Sequence, residues 1–262
     1  MTIRILILSD THDRTFPDPA TLPRVDVVLH CGDLSMTGTA LDAQLKLVIA
    51  GDHDVSLDPK CLGDEDDDQN DPVQQVRSLF NAEEINGLHF LDEGMHSFKL
   101  DGDRSFTVYA SPYTPESDES AWSHLYLAGE NPFGDGAESP MPSNGVDIVM
   151  THGPPLVPSG AAEYRLDINK DGLHCGCPKL FEAISRTKPK LHCFGHLHEG
   201  YGSQEISWHG EGEATLGEVR RQSQPLVCDD DGKTVLVNAA MVNHNYAEEE
   251  HRNPWVVDLN LN

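Results

Sequence analysis

Five short segments spread over nearly two hundred residues constrain this chain more than any other feature. They are Asp10-Thr11-His12, Gly32-Asp33, Gly51-Asp52-His53-Asp54, Thr151-His152-Gly153 and Gly195-His196-Leu197-His198. Apolar runs that read as β-strands lead into them: Ile3 to Leu8 (IRILIL), Val25 to His30 (VDVVLH), Leu45 to Ala50 (LKLVIA), Val146 to Met150 (VDIVM) and Lys190 to Phe194 (KLHCF). Runs this continuous suit strands covered on both faces. Carboxylates and imidazoles therefore fall where strands end and loops begin, the place where open α/β folds collect their chemistry. One such segment means little, because an Asp after Gly is usually a turn. Five in sequence predict a single convergent site.

The rest of the chain fits a layered α/β sandwich. Further strands are expected at Phe106 to Ala110, Gln224 to Cys228, Thr234 to Val237 and Trp255 to Leu259, and helices at Pro72 to Asn81 and Pro178 to Thr187. Because the candidate site residues run from Asp10 to His198, residues 1–262 read as one domain. Cys61 to Asp71 carries an acidic run (DEDDDQND), read as a solvated loop. Ser111 to Asn144 is rich in Pro, Gly and Ser and includes Trp122, Tyr126 and Phe133, which suit a lid or wall at the site.

Composition removes several functions. The formal net charge is −26, from 44 acidic and 18 basic residues. Long nucleic acid and anionic membranes are poor partners for such a surface. No run approaches the roughly 20 apolar residues of a membrane span, and the first residues read as a strand rather than a signal peptide. Six cysteines at positions 31, 61, 175, 177, 193 and 228 do not form a disulfide framework, which points to a reducing, cytoplasmic setting. Cys175-Gly176-Cys177 has one residue between its thiols, not the two of common zinc and redox motifs, and reads as two unrelated thiols in a turn.

The five segments offer oxygen and nitrogen ligands and no thiolate: Asp10, His12, Asp33, Asp52, His152, His196 and His198. Such a set suits Mn, Fe, Zn, Co or Ni rather than Ca. Pairs of cations about 4 Å apart, sharing a carboxylate, are a common means of phosphoester hydrolysis. With SDTHDRT, HCGDLSMTGT, LVIAGDHD, THGPP and FGHLHEGYG, the sequence resembles the calcineurin-like metallophosphoesterase superfamily, and within it the small metallophosphoesterase-domain proteins of fungi and animals. The similarity spans about residues 3 to 260.

The resemblance implies a four-layer α/β/β/α sandwich with a dinuclear metal site at the strand carboxyl ends. It implies that Asp10, His12 and His198 hold one divalent metal ion, manganese being favoured, and that His152, His196 and Asp52 hold the other. Asp33 would bridge the two, and His53 would stand near the phosphate as a hydrogen-bond donor and acid for the leaving oxygen. The implied activity is a phosphodiesterase acting on a small phosphoester such as a cyclic nucleotide, by attack of metal-bound hydroxide.

Two departures keep alternatives open. Asp52 stands where the family pattern has Asn, which adds a negative charge beside the second metal. Either the swap is tolerated, or the protein is a metal-binding scaffold or an enzyme with altered non-phosphate chemistry and weak hydrolysis. The second departure is the crossover from Leu34 to Lys46, barely the roughly 10–12 residues that parallel strands require. Thr39 to Gln44 leaves room for one or two helical turns. That predicts a thinly covered sheet face beside Asp33, which a homodimer partner would fill.

Overall fold

A computed structural model describes residues 1–12, 17–34, 41–58, 60–61, 72–80, 87–116, 123–127, 129–158, 164–210, 214–222, 224–229, 232–243 and 252–261. The acidic run after Cys61, Asn81, Trp122 and residues 35–40 of the 34–46 crossover lie outside them. Among the described residues, fifteen strands and two α-helices occur in the order β1 (Thr2–Leu8), β2 (Val27–Cys31), β3 (Leu45–Ile49), α1 (Pro72–Phe80), β4 (Leu88–Phe90), β5 (Gly94–Leu100), β6 (Arg104–Ser111), β7 (Thr114–Pro115), β8 (Leu125–Tyr126), β9 (Ile148–Thr151), α2 (Pro178–Thr187), β10 (Leu191–Phe194), β11 (Gly202–Trp208), β12 (Ala214–Leu216), β13 (Leu226–Cys228), β14 (Lys233–Asn238) and β15 (Trp255–Asn260).

Most strands form two sheets, ordered β13-β15-β1-β2-β3-β4 and β12-β11-β14-β10-β9-β6-β5. Each sheet contains a run of four parallel strands: β1 to β4 in the first, and β6, β9, β10 and β14 in the second. Their register aligns β-branched and Leu side chains into rows. Val257, Ile5, Val27 and Leu45 make one row, and Val108, Ile148, Leu191 and Val235 make the facing one. These two rows meet in the main core between the sheets. Parallel strands end at the same edge, so the rows that drive packing also bring Asp10, Asp33, Asp52, His152 and His196 to one rim. At that rim Ser9 pairs with Ala240 across the two sheets, through Ser9 N to Ala239 O at 3.1 Å and Met241 N to Ser9 O at 3.0 Å.

α2 covers the outer face of the second sheet, burying Leu180, Phe181, Ala183 and Ile184. Cys177 caps it by accepting from Leu180 N at 3.2 Å, a structural use for one of the paired thiols. α1 packs beside β4. The outer face of the first sheet carries a small apolar cluster of its own. Leu6, Leu8 and Val28 are buried there by Leu41 and Met241, with Leu22, Val25 and Ala43 packed around them. Residues 41–44 carry no helix, so irregular chain does this covering. Tyr126 and Phe133 belong to the core on the outer face of the second sheet, so this part of the 111–144 segment is a wall rather than a lid. Among the described residues no helix is long and apolar enough to cross a membrane.

Candidate metal centre

Four of the seven proposed ligands sit in the left-handed region of backbone space: Asp10 (φ 52°), His12 (φ 44°), Asp33 (φ 52°) and His196 (φ 64°). Non-glycine residues adopt it at an energetic cost, and such residues cluster where function requires a particular side-chain direction. Here it turns each side chain inward immediately after its strand. Two glycines permit the crowding. A Cβ on Gly32 (φ 99°) would lie 2.4 Å from His152 Nδ1, and one on Gly195 would lie 2.0 Å from Asp10 Oδ2.

All seven side chains converge. Asp10, His12 and His198 place one ligand atom each within 4.8 Å of one another, and so do Asp52, His152 and His196. In the first set His198 Nε2 is 3.2 Å from Asp10 Oδ1, and His12 Nε2 is 3.4 Å from His198 Nε2. In the second, Asp52 Oδ1 lies 2.8 Å from His152 Nε2 and 2.9 Å from His196 Nδ1. Asp33 stands between the sets, with Oδ2 3.3 Å from His12 Nε2 and Oδ1 3.6 Å from His152 Nε2. His53 is one-third exposed, with Nε2 3.8 Å from Asp52 Oδ2 and its ring 5.0 Å from that of His12.

A second layer of residues, invisible to motif reading, holds these groups. His152 Nδ1 donates to Cys31 O at 2.7 Å, which turns Nε2 toward the site. Asp54 accepts from Asp33 N (2.9 Å), Leu34 N (3.1 Å) and Gly51 N (2.7 Å), tying the two aspartate loops together. Asp10 accepts from His196 N at 3.1 and 3.0 Å, joining the first sheet to the second. Ser123 Oγ donates to Asp52 O at 2.9 Å. Two Thr–His pairs repeat across the sheets: His30 Nε2 lies 3.0 Å from Thr11 Oγ1, and His192 Nε2 lies 2.9 Å from Thr151 Oγ1. Each of these contacts runs through backbone or a neutral hydroxyl, so sequence spacing carries no signal for it. The one available hint was Asp54 itself, next to His53.

Three carboxylates buried within a few ångströms of one another are untenable without compensating charge. Burial raises the Asp33 carboxyl above its usual range; His152 opposes this, and Asp10, Asp52 and Asp54 reinforce it. For Asp10 burial acts in the same direction but loses to the His198 hydrogen bond and charge, which hold it well below the ordinary value. Asp52 behaves likewise, held low against burial by hydrogen bonds from His152 and His196. Burial pushes His12 down to about 4, so it presents a neutral imidazole. Two sets of one carboxylate and two imidazoles, with a third carboxylate between them, fit a pair of divalent transition-metal ions.

A model of the calcineurin-like phosphoesterase family matches residues 3–200. Human metallophosphoesterase domain-containing protein 1 is 30% identical over 98% of this chain and 71% of its own length. A Caenorhabditis elegans protein, UPF0046 protein T07D4.2, is 26% identical over 93% of this chain and 57% of its own. The probable rhamnogalacturonate lyase C of Emericella nidulans aligns at 30% identity over 79% of this chain but only 18% of its own length. A purple acid phosphatase from yellow lupin seeds superposes with a TM-score of 0.43 at 11% identity, over 99% of this chain and 54% of that one, a likeness too remote to build on. The chain belongs to the calcineurin-like phosphoesterase family. It is a metallophosphoesterase, a metal-dependent hydrolase of phosphoric esters.

Proposed function

We propose that this chain, as one domain over residues 1–262, is a phosphodiesterase of small substrates such as cyclic nucleotides, with two divalent cations and manganese favoured. The observation that carries this reading is the pairing of two equivalent donor sets about Asp33. Asp10, His12 and His198 would hold one cation, Asp52, His152 and His196 the other, and Asp33 would serve both. Such cations supply positive charge to phosphoryl oxygens and lower the pKa of water.

The chain's own groups do the rest. The His53 backbone N–H donates to Asp33 Oδ1 at 3.0 Å, which fixes its ring beside the donor sets. Its imidazole is the most exposed of the cluster, in reach of a leaving oxygen as proton donor. Asp54 holds the loop of Asp52 and His53 against that of Asp33, so the acid and the shared carboxylate move together. A formal charge of −26 favours a small ester over a polyanion.

The test is metal analysis coupled to a phosphoester panel on one preparation. Two metals per chain and manganese-dependent turnover of bis(p-nitrophenyl) phosphate, both lost in Asp33→Ala, are expected. No turnover of any ester with any of the five metals would refute the proposal.

A further inference from the structure

Along its outer edge β11 meets a neighbour that does not keep step with it. Ile206 pairs with Leu216 of β12, and Ser203 pairs with Arg220 through two reciprocal backbone bonds of 2.8 Å. Between those pairs Gln204 and Glu205 face three residues, Gly217 to Val219. This is a bulge, which bends the edge out of the sheet. Gln204 Nε2 braces it by donating to Gly217 O at 2.9 Å.

The bulge borders a cavity of about 530 Å³, whose lining includes Ser203, Glu205, Glu218, Arg220, Leu226 and Val235. None of these is a candidate metal ligand. Register fixes which side chains face the cavity. Ser203 and Glu205 stand opposite Val237 and Val235 of β14, which belong to the core between the sheets. Directly opposed residues of an antiparallel pair share a face. Ser203, Glu205 and, across the other edge, Arg220 therefore project to the inter-sheet side. Leu226, on the edge strand β13 of the first sheet, belongs to the same core. The cavity is thus the open edge of the sandwich.

Three of its polar groups lack partners among the described residues. Ser203 is 1% exposed, yet its hydroxyl has no hydrogen-bond partner. The exposed Arg220 guanidinium and Glu218 carboxylate enter no ion pair or side-chain hydrogen bond. Glu205, by contrast, is paired with Lys233 at 2.9 Å. A buried hydroxyl without a partner has lost its hydration uncompensated. A hydroxyl and a guanidinium on one face are a pair of donors for a carboxylate. One guanidinium beside two glutamates matches a monoanion rather than a phosphate dianion. Glu218 adds a place for an ammonium group, and Leu226 and Val235 add one for an apolar chain.

We propose that this cavity binds the zwitterion of an amino acid with a large apolar side chain. Its carboxylate accepts from Ser203 Oγ and from the Arg220 guanidinium. Its ammonium donates to Glu218, and its side chain lies against Leu226 and Val235.

Titration calorimetry on the manganese-loaded full chain compares L-phenylalanine with hydrocinnamate, which lacks the ammonium, and phenethylamine, which lacks the carboxylate. Saturable binding of L-phenylalanine below about 10 mM is expected, with hydrocinnamate about tenfold weaker and phenethylamine not bound. Glu218→Gln should bring L-phenylalanine to the level of hydrocinnamate. Arg220→Gln should weaken L-phenylalanine by about tenfold or more. Ser203→Ala should weaken it by about five- to tenfold and leave Tm unchanged or higher, because in the free fold that hydroxyl holds nothing.

No saturable binding by the wild type overturns the proposal. So does undiminished binding in Arg220→Gln and Ser203→Ala, the result if the metals alone capture the amino acid. A lower Tm in Ser203→Ala with unchanged affinity assigns the hydroxyl to the fold and overturns it as well.

Discussion

Replacing Asp52 with Asn tests how charge beside the second donor set governs this enzyme. The Asp52 side chain is 1% exposed and accepts from both His152 and His196 through Oδ1. The Asn amide oxygen can accept the same two bonds, so Asp52→Asn alters charge far more than shape. Asp52 Oδ2 lies 3.8 Å from His53 Nε2; a phosphoryl oxygen bonded to His53 would sit roughly 6 Å from that carboxylate. Two unit charges at about 6 Å repel by about 3 kcal/mol at an effective dielectric of 20. With relaxation and partial charge transfer to a bound cation taken to halve this, about 1.4 kcal/mol remains, or tenfold, per substrate charge.

A diester carries one charge and a monoester dianion two. Asp52→Asn should therefore raise phosphodiesterase turnover and, in addition, shift kcat/KM about tenfold from diester toward monoester. The assay is a pair of p-nitrophenyl substrates, mono- and bis-ester, at saturating manganese with metal occupancy measured, because the neutral amide also weakens the cation it faces. Equal or lower diester turnover at full occupancy, or an unchanged ratio of the two substrates, would refute the electrostatic reasoning.

Three further outcomes follow from the geometry. Asp54→Ala leaves three backbone N–H groups unsatisfied; a loss of roughly 3 kcal/mol in urea unfolding is expected, with weaker manganese binding although Asp54 lies outside both donor sets. Burial lowers His30 to about 4 and His192 to about 3. Below the unfolded value of 6.5 the unfolded chain takes up protons that the folded one refuses, so stability is complete above about pH 6.5 and falls toward pH 4. Each should contribute about 2 kcal/mol to the loss between pH 7 and pH 5; His192→Phe in chelator-treated protein should shrink that loss by this amount, and an unaltered pH slope would contradict it. Finally, cations present at 100 times their Kd stabilise the fold by about 2.7 kcal/mol each, so chelation should lower Tm by roughly 10 °C or more, measured by calorimetry with and without EDTA.

The strand ends were legible because burial on both faces leaves a continuous apolar signature, as in IRILIL and LKLVIA, and because the site needs particular residue types directly after it. β5 and β11 were not. β5 (GMHSFKL) alternates half-buried and exposed positions up to Leu100, and β11 (GSQEISW) buries Ser203 and Gln204, so neither shows a hydrophobic run. The expected edges moved by a residue or two where polar groups intervene: Asp26 accepts from Arg4 N at 2.9 Å and from an Arg104 guanidinium at 3.0 Å, and β2 starts only at Val27. The covering of the first sheet near Asp33 was misjudged for a different reason. Coverage was counted in helices, whereas scattered side chains from 22 to 43 and Met241 close the face. Ser123 and His30 act through a backbone carbonyl and a hydroxyl, and such contacts arise only once distant segments meet.

Each donor set draws on both sheets. Asp10 and His12 follow β1 in the first sheet and His198 follows β10 in the second; Asp52 follows β3, while His152 and His196 follow β9 and β10. The spacing between the sheets is thus also the spacing within each set. That spacing is fixed by the interdigitated rows from Val257 to Leu45 and from Val108 to Val235, by the Ser9–Ala240 pairing, and by Asp10 accepting from His196 N. A core of Ile, Val and Leu packed at crystalline density cannot slide by half an ångström without loss. The geometry demanded of the ligands is therefore carried by residues with no polar atoms in their side chains. It also explains why the left-handed conformations at Asp10, His12, Asp33 and His196 persist: the packed strands on either side over-determine where each loop must turn. With Asp52 in place of an amide, the two sets are alike in charge as well as in donor type. The asymmetry that separates their roles must then come from what surrounds them, beginning with His53, whose Nε2 lies 3.8 Å from Asp52 Oδ2 of the second set.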